Sequence, residues 1–138
     1  MRKLLPAVVA LLLVSGVSRI FARGEEPQQK IVVSRMVICK NVVDREPVGE
    51  ATAFADTTSR VYCFTHIKGA EQEVEITHRW YYGDSLMAEV SLPVRSASWR
   101  TWSSKKMVKS WAGKWRVEVV GPEGEVLRQA EFELQKTE

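Results

Sequence analysis

The chain reads as an all-β protein, an immunoglobulin-like β-sandwich of about seven short antiparallel strands. Three observations predict that class. Apolar and polar residues alternate with period two through most of the sequence after residue 30. Gly, Pro, Asp and Asn interrupt the alternation at short intervals. No stretch keeps its apolar residues at a sustained helical spacing. Strand runs of this kind without intervening helices bury their apolar faces by packing sheet on sheet. A small barrel is the rival arrangement.

Each element follows from the same pattern. Ile31 to Lys40 is apolar and β-branched and predicts the first strand. Residues 41–56 carry Asp44, Pro47 and Gly49 and read as a connection, with room for a short strand around Ala51 to Ala55. Arg60 to Ile67 is a strand with Val61, Cys63, Thr65 and Ile67 on one face and Tyr62, Phe64 and His66 on the other. Lys68 to Gln72 turns the chain. Val74, Ile76, His78, Trp80 and Tyr82 then share an inward face, opposite Glu73, Glu75, Thr77 and Arg79. Gly83-Asp84-Ser85 closes a hairpin onto a strand whose inward face is Leu86, Ala88, Val90, Leu92 and Val94. Pro93 places that strand at an edge or marks its end. Ser98 to Ser103 is a further strand, followed by a polar loop to Gly113. Trp115, Val117 and Val119 point inward, Gly121 to Gly124 turns, and Val126, Ala130, Phe132 and Leu134 line the closing strand.

The start of the chain has a different grammar. Met1-Arg2-Lys3 precedes an apolar run from Leu4 to Val17, and Ala22 supplies a small residue at the exit. That is the pattern of a secretory signal peptide over residues 1–22. The run is shorter than the roughly 20 apolar residues a membrane span needs; retention as an anchor stays the alternative, and it is the one route by which the chain would meet a membrane. The expected localisation is periplasmic or secreted. Residues 23–30 lack apolar content and read as a disordered leader, leaving 31–135 as a single β-sandwich domain. The signal accounts for three of the twenty basic residues, so the remainder balances seventeen acidic ones. The basic character of the whole chain is therefore no evidence for nucleic acid as a partner.

Two cysteines remain, Cys39 and Cys63. In an oxidising compartment an even count favours a bridge between them, which would close a loop of about 25 residues and stabilise by roughly 3 kcal/mol. Two buried thiols are the alternative.

Several strings together resemble a known family. They are Cys39-Lys40-Asn41-Val42-Val43-Asp44-Arg45-Glu46-Pro47-Val48, Tyr62-Cys63-Phe64-Thr65, His78-Arg79-Trp80-Tyr81-Tyr82 and Trp99-Arg100-Thr101-Trp102-Ser103-Ser104-Lys105, with Gly113-Lys114-Trp115-Arg116-Val117-Glu118-Val119 and Glu131-Phe132-Glu133-Leu134 near the end. The sequence is similar, over nearly all of its length after the signal, to the bacterial family catalogued as domain of unknown function 2914. The resemblance implies an envelope-associated β domain. It brings no activity and no site residue with it.

Candidate sites were weighed by their chemistry. Gly83-Asp84-Ser85-Leu86 spells the signature of a serine esterase group, but that chemistry needs a base within reach of the serine and oxyanion donors. Neither histidine lies beyond position 78, and Gly, Asp and Ser are turn residues. A metal site from Cys39, Cys63, His66 and His78 fails because Cys63 and His66 point to opposite faces of one strand. His78 reads as a core histidine bonded to a carbonyl or hydroxyl, with a pocket residue beside two aromatics as the sharper alternative. No catalytic residue, metal or cofactor is expected.

The segment from Arg95 to Arg116 is the least ordinary. It holds seven basic residues, no acidic one, and Trp99, Trp102, Trp111 and Trp115. On a strand, Arg100 and Trp102 face away from the core, and exposed Trp beside Arg and Lys can stack on a sugar or anchor a protein contact. The candidate binding residues are Arg100, Trp102, Ser103, Ser104 and Lys105. The alternatives are tryptophans in the core with a solvated lysine loop, or Arg100 clamped on Trp102. The function expected is a non-catalytic binding or accessory module that contacts a cell-envelope glycan or protein partner. A purely structural domain is the alternative, and a hydrolase using the Gly-Asp-Ser-Leu turn the weakest.

Overall fold

A computed structural model describes residues 30–138. The expected signal peptide at 1–22 lies outside the described residues, as does the expected leader except for Lys30. The strands are β1 (Val32–Cys39), β2 (Asn41–Val43), β3 (Glu46–Val48), β4 (Ala53–Ala55), β5 (Arg60–Lys68), β6 (Val74–Tyr82), β7 (Ser85–Val94), β8 (Ser98–Lys106), β9 (Gly113–Val120) and β10 (Val126–Gln135). One 3-10 turn, Lys109–Trp111, interrupts them, and no α-helix occurs among the described residues.

The protein is all-β, and its strands form a sandwich-like pair of sheets. One sheet has the order β1-β5-β8, the other β4-β10-β9-β6-β7. All pairs are antiparallel except β4 with β10. The inward faces meet in two apolar regions. Ile38, Val61 and Cys63 pack with Trp80, Trp115, Val117, Phe132 and Leu134 at one end, and Ile67 packs with Ile76, Val94 and Val119 at the other. Alternation dictates this result, since the residues of β5, β6 and β9 that face the core between the sheets sit two apart.

Two expected inward positions turn outward. Leu86 is 48% exposed and Val126 51%. In each case the ladder slips by one residue, between Trp80 and Tyr81 opposite β7 and between Val126 and Arg128 on β10. A one-residue bulge exchanges the faces of everything beyond it. Met87 and Leu127 are accordingly the residues that pack inward.

The connection at 41–56 holds more order than the sequence suggested. β2 and β3 pair into a two-stranded ribbon joined by Asp44 and Arg45. Both turn residues have positive φ, 51° and 62°, the pattern of a primed hairpin turn that usually employs Asn-Gly. The ribbon lies over the outer face of the three-stranded sheet, where Val42, Tyr62 and Trp102 pack against Val37, Cys39 and Phe64.

The expected Cys39–Cys63 bridge is corrected by the register. Both thiols are free and buried. Cys39 pairs with Tyr62 while Cys63 pairs with Ile38, so the two sulfurs point to opposite faces of one sheet. Cys63 enters the core, and Cys39 lies beneath the ribbon. Burial pushes both thiols above their ordinary pKa, as inert structural cysteines require.

Candidate functional site

β8 is an edge strand of the three-stranded sheet and β7 an edge strand of the five-stranded one. The two edges lie on the same side of the sandwich and form a cleft of about 330 Å³. Its chemistry comes from Arg45, Arg95, Arg100, Trp99 and Trp102, and no carboxylate lines it.

The five residues expected to form one surface separate in the way a strand demands. Arg100 and Trp102 point outward and line the cleft. Trp102 is half-buried, because its indole also packs against the apolar patch beneath the ribbon. Ser104 accepts a hydrogen bond from Arg60 Nη1 at 2.8 Å. Lys105 places its ammonium 4.6 Å from the Trp111 ring centroid, away from the cleft, and burial lowers its pKa. Ser103 is the clear correction. It faces the core, where its hydroxyl lies 2.6 Å from His78 Nδ1 and accepts from Trp80 Nε1 at 3.1 Å. No partner can reach it there.

The residues missed are Arg45, Arg95 and Trp99. Arg95 and Trp99 belong to the basic aromatic segment already noted, and Trp99 is one of the tryptophans that the alternative reading of that segment places in the core. It is half-buried and touches both core and cleft. Arg45 arrives from the ribbon turn, and its guanidinium carbon sits 5.9 Å from the Trp99 ring centroid. Only the hairpin signal at Asp44-Arg45 could have brought it into view.

One carboxylate organises the neighbourhood. Glu46, beside Arg45 on β3, receives Arg35 Nη1 on Oε2 at 2.9 Å and Arg100 Nη1 on Oε1 at 2.7 Å. The hydrogen bond from Arg35, against the opposing effect of desolvation and with a further bond from Arg100, holds its carboxyl below the ordinary range. Arg100 Nη1 also donates to the Arg45 carbonyl at 3.2 Å. Arg95 has only a loose pair with Glu73 at 3.6 Å, both side chains well exposed, and such pairs contribute little.

The other candidates resolve into structure. Gly83 and Asp84 form the two-residue turn between β6 and β7, with Tyr82 opposite Ser85. His66 bonds Ser98 at 2.7 Å, and His78 is fully buried between Thr65 and Ser103, so neither histidine serves Ser85. Among the described residues no group of three His, Cys, Asp or Glu side chains could hold a metal ion. A larger groove of about 520 Å³ near Gly83 crosses the outer face of β9 and β10, where Glu131 and Glu133 stand opposite Arg116 and Lys114. Its charges face each other in pairs, as on a solvated sheet surface.

Comparison with known proteins gives a family match over part of the chain. No curated protein sequence matches the chain. Among solved structures it is similar to the β-glucosidase of Kluyveromyces marxianus, at 10% identity and a TM-score of 0.45 over 78% of this chain and 14% of that one. The Listeria innocua β-glucosidase in complex with glucose gives 10%, 0.44, 77% and 16%. The GH3 β-glucosidase of Bifidobacterium adolescentis gives 8%, 0.44, 76% and 17%. The chain thus spans about one sixth of the length of these enzymes, and none of the three bears on its activity. The strings quoted above from Cys39 to Val48 and from Tyr62 to Thr65 lie outside the family match, which runs from the residue before β6 into β10. Within those limits the resemblance read from the sequence holds, and residues 73–134 match the family described as Protein of unknown function (DUF2914).

Proposed function

We propose that this chain is an exported, non-catalytic binding module with an immunoglobulin-like sandwich, and that the cleft between the β7 and β8 edges takes an acidic glycan of the cell envelope. Export rests on the Met1 to Ala22 pattern. The immunoglobulin-like reading rests on strand order. β1, β5 and β8 correspond to strands A, B and E, and β10, β9, β6 and β7 to G, F, C and C′.

The observation that carries the ligand class is the meeting of three guanidiniums and two indoles in one small cleft whose lining has no carboxylate. Indole faces stack on the apolar faces of sugar rings, and guanidiniums pair with acidic substituents. A cleft of about 330 Å³ lies at the small end of ligand-pocket volumes and suits a short oligosaccharide. The ion pair between Arg100 and Glu46 favours a second reading, in which this chemistry only fastens the ribbon to the sheet.

Sedimentation of the exported protein with insoluble peptidoglycan separates the readings. Arg45→Glu together with Arg95→Glu touches neither the core nor the Glu46 pair and should lower retention by at least about tenfold. Unchanged retention leaves the structural reading standing. Capture on envelope proteins with none on glycan would move the cleft to a protein surface.

A further inference from the structure

Arg100 makes its two hydrogen bonds through one nitrogen. Nη1 donates to Glu46 Oε1 and to the Arg45 carbonyl, whereas Nε and Nη2 donate to none of the described residues. Glu46 is itself held at both oxygens, because Arg35 takes Oε2 at 2.9 Å. Arg35 in turn lies with its guanidinium carbon 5.3 Å from the Phe64 ring centroid. The chain Phe64, Arg35, Glu46, Arg100 therefore runs from the apolar patch beneath the ribbon to the wall of the cleft.

A guanidinium is planar and rigid. Two acceptors on Nη1 restrict its rotation and leave the Nε–Nη2 edge without a partner among the described residues. That edge presents two parallel donors at the spacing of the two oxygens of a carboxylate. Arg45 and Arg95 add positive charge to the same cleft, and Trp99 and Trp102 add ring faces.

Resting on the glycan reading above, we propose that the group recognised is a sugar-borne carboxylate, bound side-on by Nε and Nη2 of Arg100, with Glu46 as the positioning residue that fixes the guanidinium. The sugar ring lies against the indoles, and Arg45 and Arg95 supply the surrounding positive field. Glu46 does not compete for the ligand, because it occupies a different nitrogen of Arg100.

Isothermal titration of the exported protein tests this with three probes: oligogalacturonate, the same oligomer fully methyl-esterified, and triglutamate. Oligogalacturonate should bind at least about tenfold more tightly than its ester, the loss expected when a charge-assisted bidentate contact is removed. Equal affinity for acid and ester overturns the carboxylate inference, whereas retention on peptidoglycan tests by itself whether the cleft takes a glycan at all. Binding to neither oligomer removes both. Tighter binding of triglutamate assigns the carboxylate to a peptide and overturns the sugar-borne form.

Arg100→Lys keeps the charge and loses the fork, so it should collapse the acid-to-ester ratio. Glu46→Gln should reduce the same ratio, a selectivity readout that a loss of stability alone does not move. Tighter acid binding by Glu46→Gln would show that Glu46 is a competitor and overturn its positioning role. The probe comparison on the unaltered protein stands even if a variant fails to fold.

Discussion

The hydroxyl oxygen of Ser103 lies 2.6 Å from Nδ1 of His78, in the interior between the two sheets. The other ring nitrogen lies 3.2 Å from Thr65 Oγ1, which donates its own proton to the Thr101 carbonyl at 2.8 Å. Thr65 must therefore accept from Nε2–H, and Nδ1 must accept from Ser103, whose oxygen accepts in turn from Trp80 Nε1. The bonds run in one direction, from Trp80 through Ser103, His78 and Thr65 to the β8 backbone, and every polar group in the series is satisfied. A Ser-His contact of this kind is a structural tie between β6 on one sheet and β5 and β8 on the other. With His78 fully buried, no substrate reaches it.

That series makes stability depend on pH. Burial holds the His78 pKa down to about 4, against about 6.5 in an unfolded chain. Between those values the unfolded state takes up a proton that the folded state refuses. Stability is therefore full above pH 6.5, falls as pH drops through it, and stops falling on this account below about 4. The loss by pH 5.0 amounts to about 2 kcal/mol. Urea unfolding at pH 7.5 and 5.0 reads it directly. His78→Gln should be less stable at neutral pH by about 1–3 kcal/mol and should lack this increment of acid sensitivity. A variant with the full pH difference would show that His78 is not its source.

The two thiols give a second prediction. Because Cys39 and Cys63 face opposite sides of the β1–β5 pair, the protein should keep both as thiols. Dithiothreitol should leave its urea midpoint unchanged, whereas a bridge would contribute roughly 3 kcal/mol. Alkylation should be negligible in the folded state and should add two groups after unfolding. Oxidised protein that unfolds at lower urea once reduced would contradict this register.

How far the sequence carries a reader depends on how long an alternation runs unbroken. In β5, β6 and β9 the face assignments hold residue for residue, because each buries one whole face in the sandwich. Leu86 and Val126 escape because a bulge leaves no mark on composition. The Cys39 error has a related cause. Each strand's alternation was readable alone, but the relative face of two strands needs the register, and only the pairing of Cys39 with Tyr62 supplies it. Arg100 and Trp102 were legible as outward-facing residues of β8, but the cleft they line depends on the neighbouring edge of β7. Arg45 was not, since its position depends on a ribbon of two three-residue strands folding back over that sheet.

Aromatic packing supplies the third prediction. Phe132 stacks on Trp115 at 5.9 Å between centroids and 14° between planes, and meets Phe54 and Trp80 edge-on at 5.8 and 6.1 Å. It thereby joins β10 to β9, β4 and β6 through one ring. Phe132→Ala should cost about 3–5 kcal/mol and diminish the near-ultraviolet circular dichroism of the tryptophans. A double-mutant cycle with Phe54→Leu should show coupling of about 0.5–1.5 kcal/mol. Additive effects would mean that β4 is not held through this ring.

On the proposed glycan reading, the ribbon turn sets stability against binding. Asp44 and Arg45 both adopt the left-handed conformation, which costs a side-chain-bearing residue roughly 1–2 kcal/mol and glycine almost nothing. Asn-Gly is the pair that a two-residue turn of this type accommodates most readily. Asp44→Asn with Arg45→Gly should therefore raise stability by about 1 kcal/mol or more. The same change removes one of the three cleft guanidiniums while leaving Glu46 and its partners in place. Strain held at a position that also supplies a binding group is a recurrent property of functional sites. The double variant should thus unfold at higher urea and bind oligogalacturonate more weakly. A variant gaining stability with undiminished binding would show that Arg45 lines the cleft without serving it, and one losing stability would refute the strained turn.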